Sequence, residues 1–349
     1  LKKWKILLSS IVLFAVVLVG CSSPDGKASF VYLSEQRGSG FNPTYEFVEY
    51  YPQEERKQYV NRQVDGNHYR NSYYDGKKLY LSLSHTFFIY DSETKKVTEL
   101  QGTVSNGIKK INDEIWLAVD NGFVEDGYSS SLCKLTDDLK VNCLYEMKNQ
   151  RVDDFYFNFS EQIMYGAGPG VGKEPGEISQ QYKVMKYNLR TGEEETVWNN
   201  GSHILAGRLT NICPGEFITS DGDIYKETGE KVGEIIGTSG EKLNSQINDL
   251  TMNETTFLDY DNNLLEVYGC EGGVVRHRRT VQLDYQPNIY PVYYAWETTD
   301  DGEITMPIND PDDIFEFIGF QSVNVRTGEI EVYMFDEPVY ELHAIARFV

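Results

Sequence analysis

The chain has 349 residues, with 54 acidic against 32 basic and a formal charge of −22 at neutral pH. A field of that sign repels nucleic acid and anionic lipid headgroups, which excludes nucleic-acid binding as a leading activity. With 25 Tyr, 17 Phe and 4 Trp the composition favours strands over disorder, and the length suffices for one large all-β domain or two smaller ones.

At the N-terminus, Lys2, Lys3 and Lys5 precede an apolar run of fourteen residues from Ile6 to Val19. That is too short for a hydrocarbon core that needs about 20 residues, but it suits the apolar region of a secretory signal. The run closes on Leu18-Val19-Gly20-Cys21, which resembles a bacterial lipobox. The resemblance implies that the Cys21 thiol receives a diacylglycerol and that cleavage leaves Cys21 as the new N-terminus. An ordinary signal peptide with an incidental cysteine is the plainer alternative. Residues 1–20 are thus expected to be a lipoprotein signal peptide, 21–28 a polar tether around Ser22-Ser23-Pro24-Asp25-Gly26, and 29–349 the folded domain. The expected location is the extracytoplasmic face of the cell membrane, with the membrane reached through the N-terminal diacylglycerol. Without its signal the chain would carry 29 basic residues (32 less three lysines) against 54 acidic, a charge of −25.

From Ala28 onward helical periodicity is almost absent. Phe30-Val31-Tyr32-Leu33, Leu79 to Leu83, Phe87 to Tyr90 and Glu114 to Val119 are short aromatic and branched runs bounded by turn residues, a succession of hairpins. One turn recurs. It appears as Tyr90-Asp91-Ser92-Glu93-Thr94-Lys95-Lys96-Val97, as Tyr187-Asn188-Leu189-Arg190-Thr191-Gly192-Glu193, as Tyr225-Lys226-Glu227-Thr228-Gly229-Glu230, and as Asn324-Val325-Arg326-Thr327-Gly328-Glu329. With weaker copies the turns fall near 54, 94, 138, 191, 228, 272 and 327, at intervals of 40, 44, 53, 37, 44 and 55. A period in the forties with four strands per unit is the signature of a β-propeller blade. Gly166–Gly176, Tyr285–Pro291 and Asn309–Asp313 read as insertions in the two longest repeats. Residues 29–62 offer only three strands, and Tyr340 to Phe348 is a strand with no turn after it. The prediction is therefore an all-β propeller of seven blades, each of four short antiparallel strands, closed by the C-terminal strand joining the first blade. Six or eight blades stay open because two repeats are faint, and a pair of β-sandwiches is the competing architecture. The repeated turns are similar to those of many bacterial envelope propellers; this resemblance concerns architecture only and carries no functional residue.

Cys133 and Cys143 flank a turn whose pairing axis passes through Asp138, so they sit opposite each other, within reach of a disulfide. A one-residue slip would separate them. Cys213 and Cys270 lie far apart with no metal-ligand spacing and read as buried free thiols.

Motifs for chemistry are sparse. Gly166-Ala167-Gly168-Pro169-Gly170-Val171-Gly172-Lys173-Glu174 fails as a phosphate loop, since Ala167 stands where a glycine is needed and Glu174 where Ser or Thr is needed. It reads instead as a mobile excursion between two strands. Asp259 to Asn263 and Asn309 to Asp313 are oxygen-rich turns better explained as hairpins than as Ca²⁺ loops. Arg276-His277-Arg278-Arg279 is a basic cluster that reads as a solvated strand edge. Tyr285, Tyr290, Tyr293, Tyr294 and Trp296 form the densest aromatic cluster, placed either between blades or on a face where rings would contact ligand. No serine-hydrolase, zinc-protease or Cys-x-x-Cys template occurs, and no cofactor or metal is expected. The leading reading is a binding module at the cell envelope, with wall glycan or an envelope protein as partner. The alternatives are a carbohydrate-active enzyme using funnel carboxylates and a solute-binding lipoprotein, which would need two α/β lobes.

Overall fold

A computed structural model of the chain describes residues 29–348, except 37–43, 55, 60–63, 66–68, 84–85, 125–126, 172–177, 201–208, 211, 220, 244–245, 252–253, 288–294, 297–301, 314–315 and 341. The described residues form seven sheets, antiparallel except where Ala295–Trp296 joins the first, and their only helical element is the 3₁₀ turn Pro52–Glu54. In blades 2 to 6 the strand order follows the chain, giving positions a to d. Blade 2, for example, is Tyr69–Tyr74, Lys78–Leu83, Thr86–Asp91 and Lys96–Gln101. The a strands of blades 1 to 5 touch in succession, so the a strands line the axis and the d strands form the rim. The fold is a seven-bladed β-propeller, and the α/β lobes required by the solute-binding alternative are absent among the described residues.

Closure follows the expected route. Leu342–Phe348 is strand a of blade 1 and pairs antiparallel with Ser29–Gln36, with Ser29 opposite Phe348 and Tyr32 opposite Ile345. Thr44–Tyr51 and Arg56–Tyr59 complete the blade. Blade 7 departs from the four-strand expectation: Glu303–Asn309, Glu316–Asn324 and Ile330–Tyr340 are its three strands. Where its strand a would lie, Pro287 bridges Ile308, and Ala295–Trp296 runs parallel to the closing strand instead. Pro287 lacks the N–H group a regular ladder requires, consistent with an isolated bridge in place of an inner strand.

All seven recurrent turns occupy one topological place, the hairpin between strands c and d. Asn188 and Asn324 show why the motif repeats. Each side-chain oxygen accepts the N–H groups two and three residues on, while Gly192 and Gly328 take φ of 75° and 79°. Because successive strands alternate in direction, a–b and c–d turns lie on one face (the hairpin face). The b–c loops and the d–a crossings between blades lie on the other (the crossing face).

A blade is buried on both sides by its neighbours, so its middle strands lack in–out alternation: Leu79 to Leu83 are all buried. The outer strand Lys96–Gln101 has none of its residues fully buried. The core is accordingly divided into wedges between blades. Val31, Leu33 and Phe47 of blade 1 meet Leu79, Leu81 and Phe88 of blade 2, and Tyr156 and Tyr165 of blade 4 meet Phe217 and Tyr225 of blade 5. Burying each such side chain stabilises the ring by about 1.5–3 kcal/mol. Polar staples cross the wedges as well. The buried Glu49 carboxylate of blade 1 accepts from Tyr51 at 2.7 Å and from Tyr90 of blade 2, and it pairs with Lys95 at 2.8 Å. Arg347 of the closing strand pairs with Glu303 and Glu331 of blade 7, both at 2.5 Å.

Two corrections concern cysteine and glycine. Cys213 and Cys270 are not free thiols: they form a disulfide with Cα atoms 5.1 Å apart. Their 57-residue separation hid the contact, because stacking of blades 5 and 6 brings the a–b turn of one onto strand c of the other. Cys133 and Cys143 are cross-strand partners in blade 3 and are also bonded. The glycine-rich stretch is no excursion over Gly166–Val171. It continues strand b of blade 4, pairing up to Val171 with Ile178. A Cβ on Gly168 would lie 1.7 Å from the Arg151 carbonyl oxygen, so the glycine there serves close backbone approach.

Candidate functional site

Long connections gather on the crossing face, and over blades 2 to 4 they bring polar side chains together. Asp120 lies within strand b of blade 3, Glu114–Val124, at the bulge where the register shifts between Asp120 and Gly122. Its N–H donates to Val104 of the crossing from blade 2 at 2.9 Å, and Gly122, with φ of 71°, turns back so that its N–H donates to Asp120 Oδ1 at 2.9 Å. The same oxygen accepts the Tyr128 hydroxyl at 2.5 Å. Asn106, on strand a, reaches Asp120 Oδ2 at 3.5 Å, and its carbonyl accepts the Asn71 amide of blade 2 at 2.9 Å. Arg151 lies in the crossing from blade 3 to blade 4 and grips Asp153 with both ends of its fork, Nε to Oδ1 at 2.7 Å and Nη2 to Oδ2 at 3.2 Å. Lys109 pairs with Asp154 at 2.9 Å on the adjoining a strands.

The groups are graded in depth. Tyr128 and Asn106 are 7% and 8% exposed, whereas the Arg151 side chain is 37% exposed. Burial works against the Arg151 charge, but Asp153, Tyr128 and Asp120 around it hold its pKa above the ordinary value. Burial first, and then Asp120, push the Tyr128 hydroxyl well above the usual phenol range, so it stays a proton donor. At the hairpin tip Phe123 is exposed and meets Tyr128 edge-on, with centroids 5.4 Å apart. The patch thus offers a guanidinium, two carboxylates, amides and an exposed ring within one half-dry surface. That set suits a ligand bearing both hydroxyls and a small apolar face.

The sites named from sequence fare differently. Tyr285 is on the crossing face, exposed, with its backbone locked to Gln321 by bonds of 3.3 and 2.6 Å. Tyr290, Tyr293 and Tyr294 lie outside the described residues, as does Cys21, and Trp296 is placed only by its backbone beside Ile345. Asp259 is consumed within its own turn by the N–H and amide of Asn262, and Asp310 caps Asp312. Among the described residues no three His, Cys, Asp or Glu side chains converge as a metal site. The basic cluster lies on the rim strand Val274–Gln282, where Arg279 pairs with Glu254 at 2.7 Å and His277 with the buried Glu266 at 2.7 Å. Asp120, Tyr128, Arg151 and Asp153 escaped sequence reading. The available signals were Asp120-Asn121-Gly122, a bulge that passes for a turn, and the alternating charges of Arg151-Val152-Asp153.

No family model matches the chain, and no curated protein matches it. Solved structures do match in fold. A protein of Bacteroides uniformis designated a candidate 6-phosphogluconolactonase is 11% identical, with a TM-score of 0.53, over 92% of this chain and 99% of that one. The periplasmic gluconolactonase of Pseudomonas aeruginosa is 9% identical, with a TM-score of 0.51, over 92% and 99% of the two chains. Likeness at that identity concerns the propeller architecture.

Proposed function

We propose that the chain is a lipid-anchored extracytoplasmic propeller that binds a hydroxyl-rich ligand, wall glycan above all, at the crossing-face patch of blades 2 to 4. The observation that carries the reading is the convergence of Asp120, Tyr128, Arg151 and Asp153 beside the exposed ring of Phe123. Sugars present alternating hydroxyls and C–H faces, which such a set matches. The anchor rests on Leu18-Val19-Gly20-Cys21. It is supported by the other four cysteines standing in two disulfides, a state that belongs to oxidising compartments outside the cytoplasm. A second reading uses the same patch for catalysis on a sugar derivative. It is favoured by the two carboxylates of the patch, Asp120 and Asp153, and by the lactonase names of structures with the same fold.

Calorimetric titration of the purified chain with soluble wall-glycan fragments tests the first reading. Binding is expected, and Arg151→Ala should weaken it by at least tenfold, about the value of one charge-assisted hydrogen bond. Absence of binding, or binding that Arg151→Ala leaves unchanged, overturns it. Steady release of product from glycan or a sugar lactone, lost in Asp120→Asn, would establish the catalytic reading instead.

A further inference from the structure

We infer that the hairpin face is the membrane-facing side of the molecule and that the patch of blades 2 to 4 points away from the membrane. The inference rests on the anchor at Cys21 and adds to it an orientation. Ser29 begins strand b of blade 1, opposite Phe348, and that strand ends at Gln36, paired with Thr44. The c–d turn of the same blade, Pro52–Glu54, lies at the Ser29 end, so the chain enters the propeller from the hairpin face. It enters beside the innermost strand, near the axis.

The lengths decide the rest. Cys21 to Ala28 is eight residues, with a fully extended reach of about 28 Å. The eight-residue strand Ser29–Gln36 spans about 26 Å from one face to the other. Turning the crossing face to the membrane would make the tether climb the whole blade, using nearly all of its reach. Turning the hairpin face down uses none of it. Adhesion of the hairpin face is not required. Each c–d hairpin carries an exposed carboxylate, but among the described residues it is ion-paired with a Lys or Arg in five of the seven blades (Glu54 with Arg56, Glu93 with Lys77, Asp138 with Lys140, Glu230 with Lys226, Glu271 with Arg278). The tether length and the point of entry, not surface charge, set the orientation. The body therefore stands on its tether with the Arg151 patch presented outward, toward polymer beyond the membrane.

The test is energy transfer from single fluorophores to a headgroup acceptor in phosphatidylcholine–phosphatidylglycerol vesicles bearing the full lipidated chain. One label is placed through Thr191→Cys on a c–d hairpin, the other through Asp312→Cys on a b–c loop; both positions are exposed. Transfer severalfold stronger from position 191 than from 312 is expected. Equal or reversed transfer from vesicle-bound protein overturns the orientation while leaving the anchor standing. Protein that stays in solution when the vesicles are sedimented overturns the anchor, and this inference with it.

Discussion

Replacing Cys213 and Cys270 together by alanine removes the only disulfide between two blades among the described residues. The bond closes a loop of 57 residues. In the chain-entropy relation such a loop restricts the unfolded chain by about 14 cal/mol/K, or about 4 kcal/mol at room temperature. The Cys133–Cys143 bond closes only 10 residues, for which the same relation gives about 3 kcal/mol. Urea unfolding of the two paired variants should therefore rank them, with the Cys213/Cys270 pair losing more. Thiol titration of the unreduced, urea-unfolded wild-type chain should find none of these four cysteines free. Two free thiols in that titration, or a Cys213/Cys270 variant within about 1 kcal/mol of wild type, would refute the inter-blade bond and the stacking that creates it.

Gly168→Ala forces a Cβ to within 1.7 Å of the Arg151 carbonyl oxygen, and should cost about 3 kcal/mol, the upper end of overpacking penalties, read from the urea midpoint. Arg347→Met removes the guanidinium that pairs with Glu303, whose side chain is 16% exposed, at the ring closure; a loss of about 3 kcal/mol is expected, and a neutral result would show that closure does not depend on this pair. The Glu49 and Glu266 carboxyls are raised by burial but pulled below their ordinary 4.5 by stronger opposing interactions: for Glu49 hydrogen bonds from Lys95, Tyr90 and Tyr51, for Glu266 hydrogen bonds from Thr238 and Thr280 and the charge of His277. The unfolded chain then binds more protons than the folded one, so their stabilisation is complete above that ordinary value and is lost as pH falls through the depressed folded values. Unfolding free energy measured against pH should fall in that acid range, and Glu49→Gln should flatten the slope. Cys21→Ala should leave the precursor without lipid; normal lipid labelling of that variant would remove the anchor.

Local signals were enough for the repeat and its closure. An Asn three residues ahead of the Thr of Thr-Gly-Glu fixes two of the hairpins through its own side chain, and seven turns at a similar spacing point to a blade apiece. The unmatched strand ending at Phe348 then had one place to go, beside Ser29. The wedge cores were equally legible, since a sheet buried on both sides leaves strands such as Leu79–Leu83 apolar without alternation. What lay beyond the sequence is what two blades make jointly. The Cys213–Cys270 bond, the Glu49–Lys95 staple and the Asp120–Arg151 patch each join residues separated by crossings whose geometry no local pattern encodes. The stretch around Gly168 read as an excursion between strands for the same reason, because the backbone that Gly168 accommodates belongs to the crossing from another blade. Sequence indicated the repeating unit and favoured seven copies over six or eight, without showing that blade 7 would lack a regular inner strand. Stacking them around an axis decided which residues meet, because contact between blades depends on the turn of each sheet against the next.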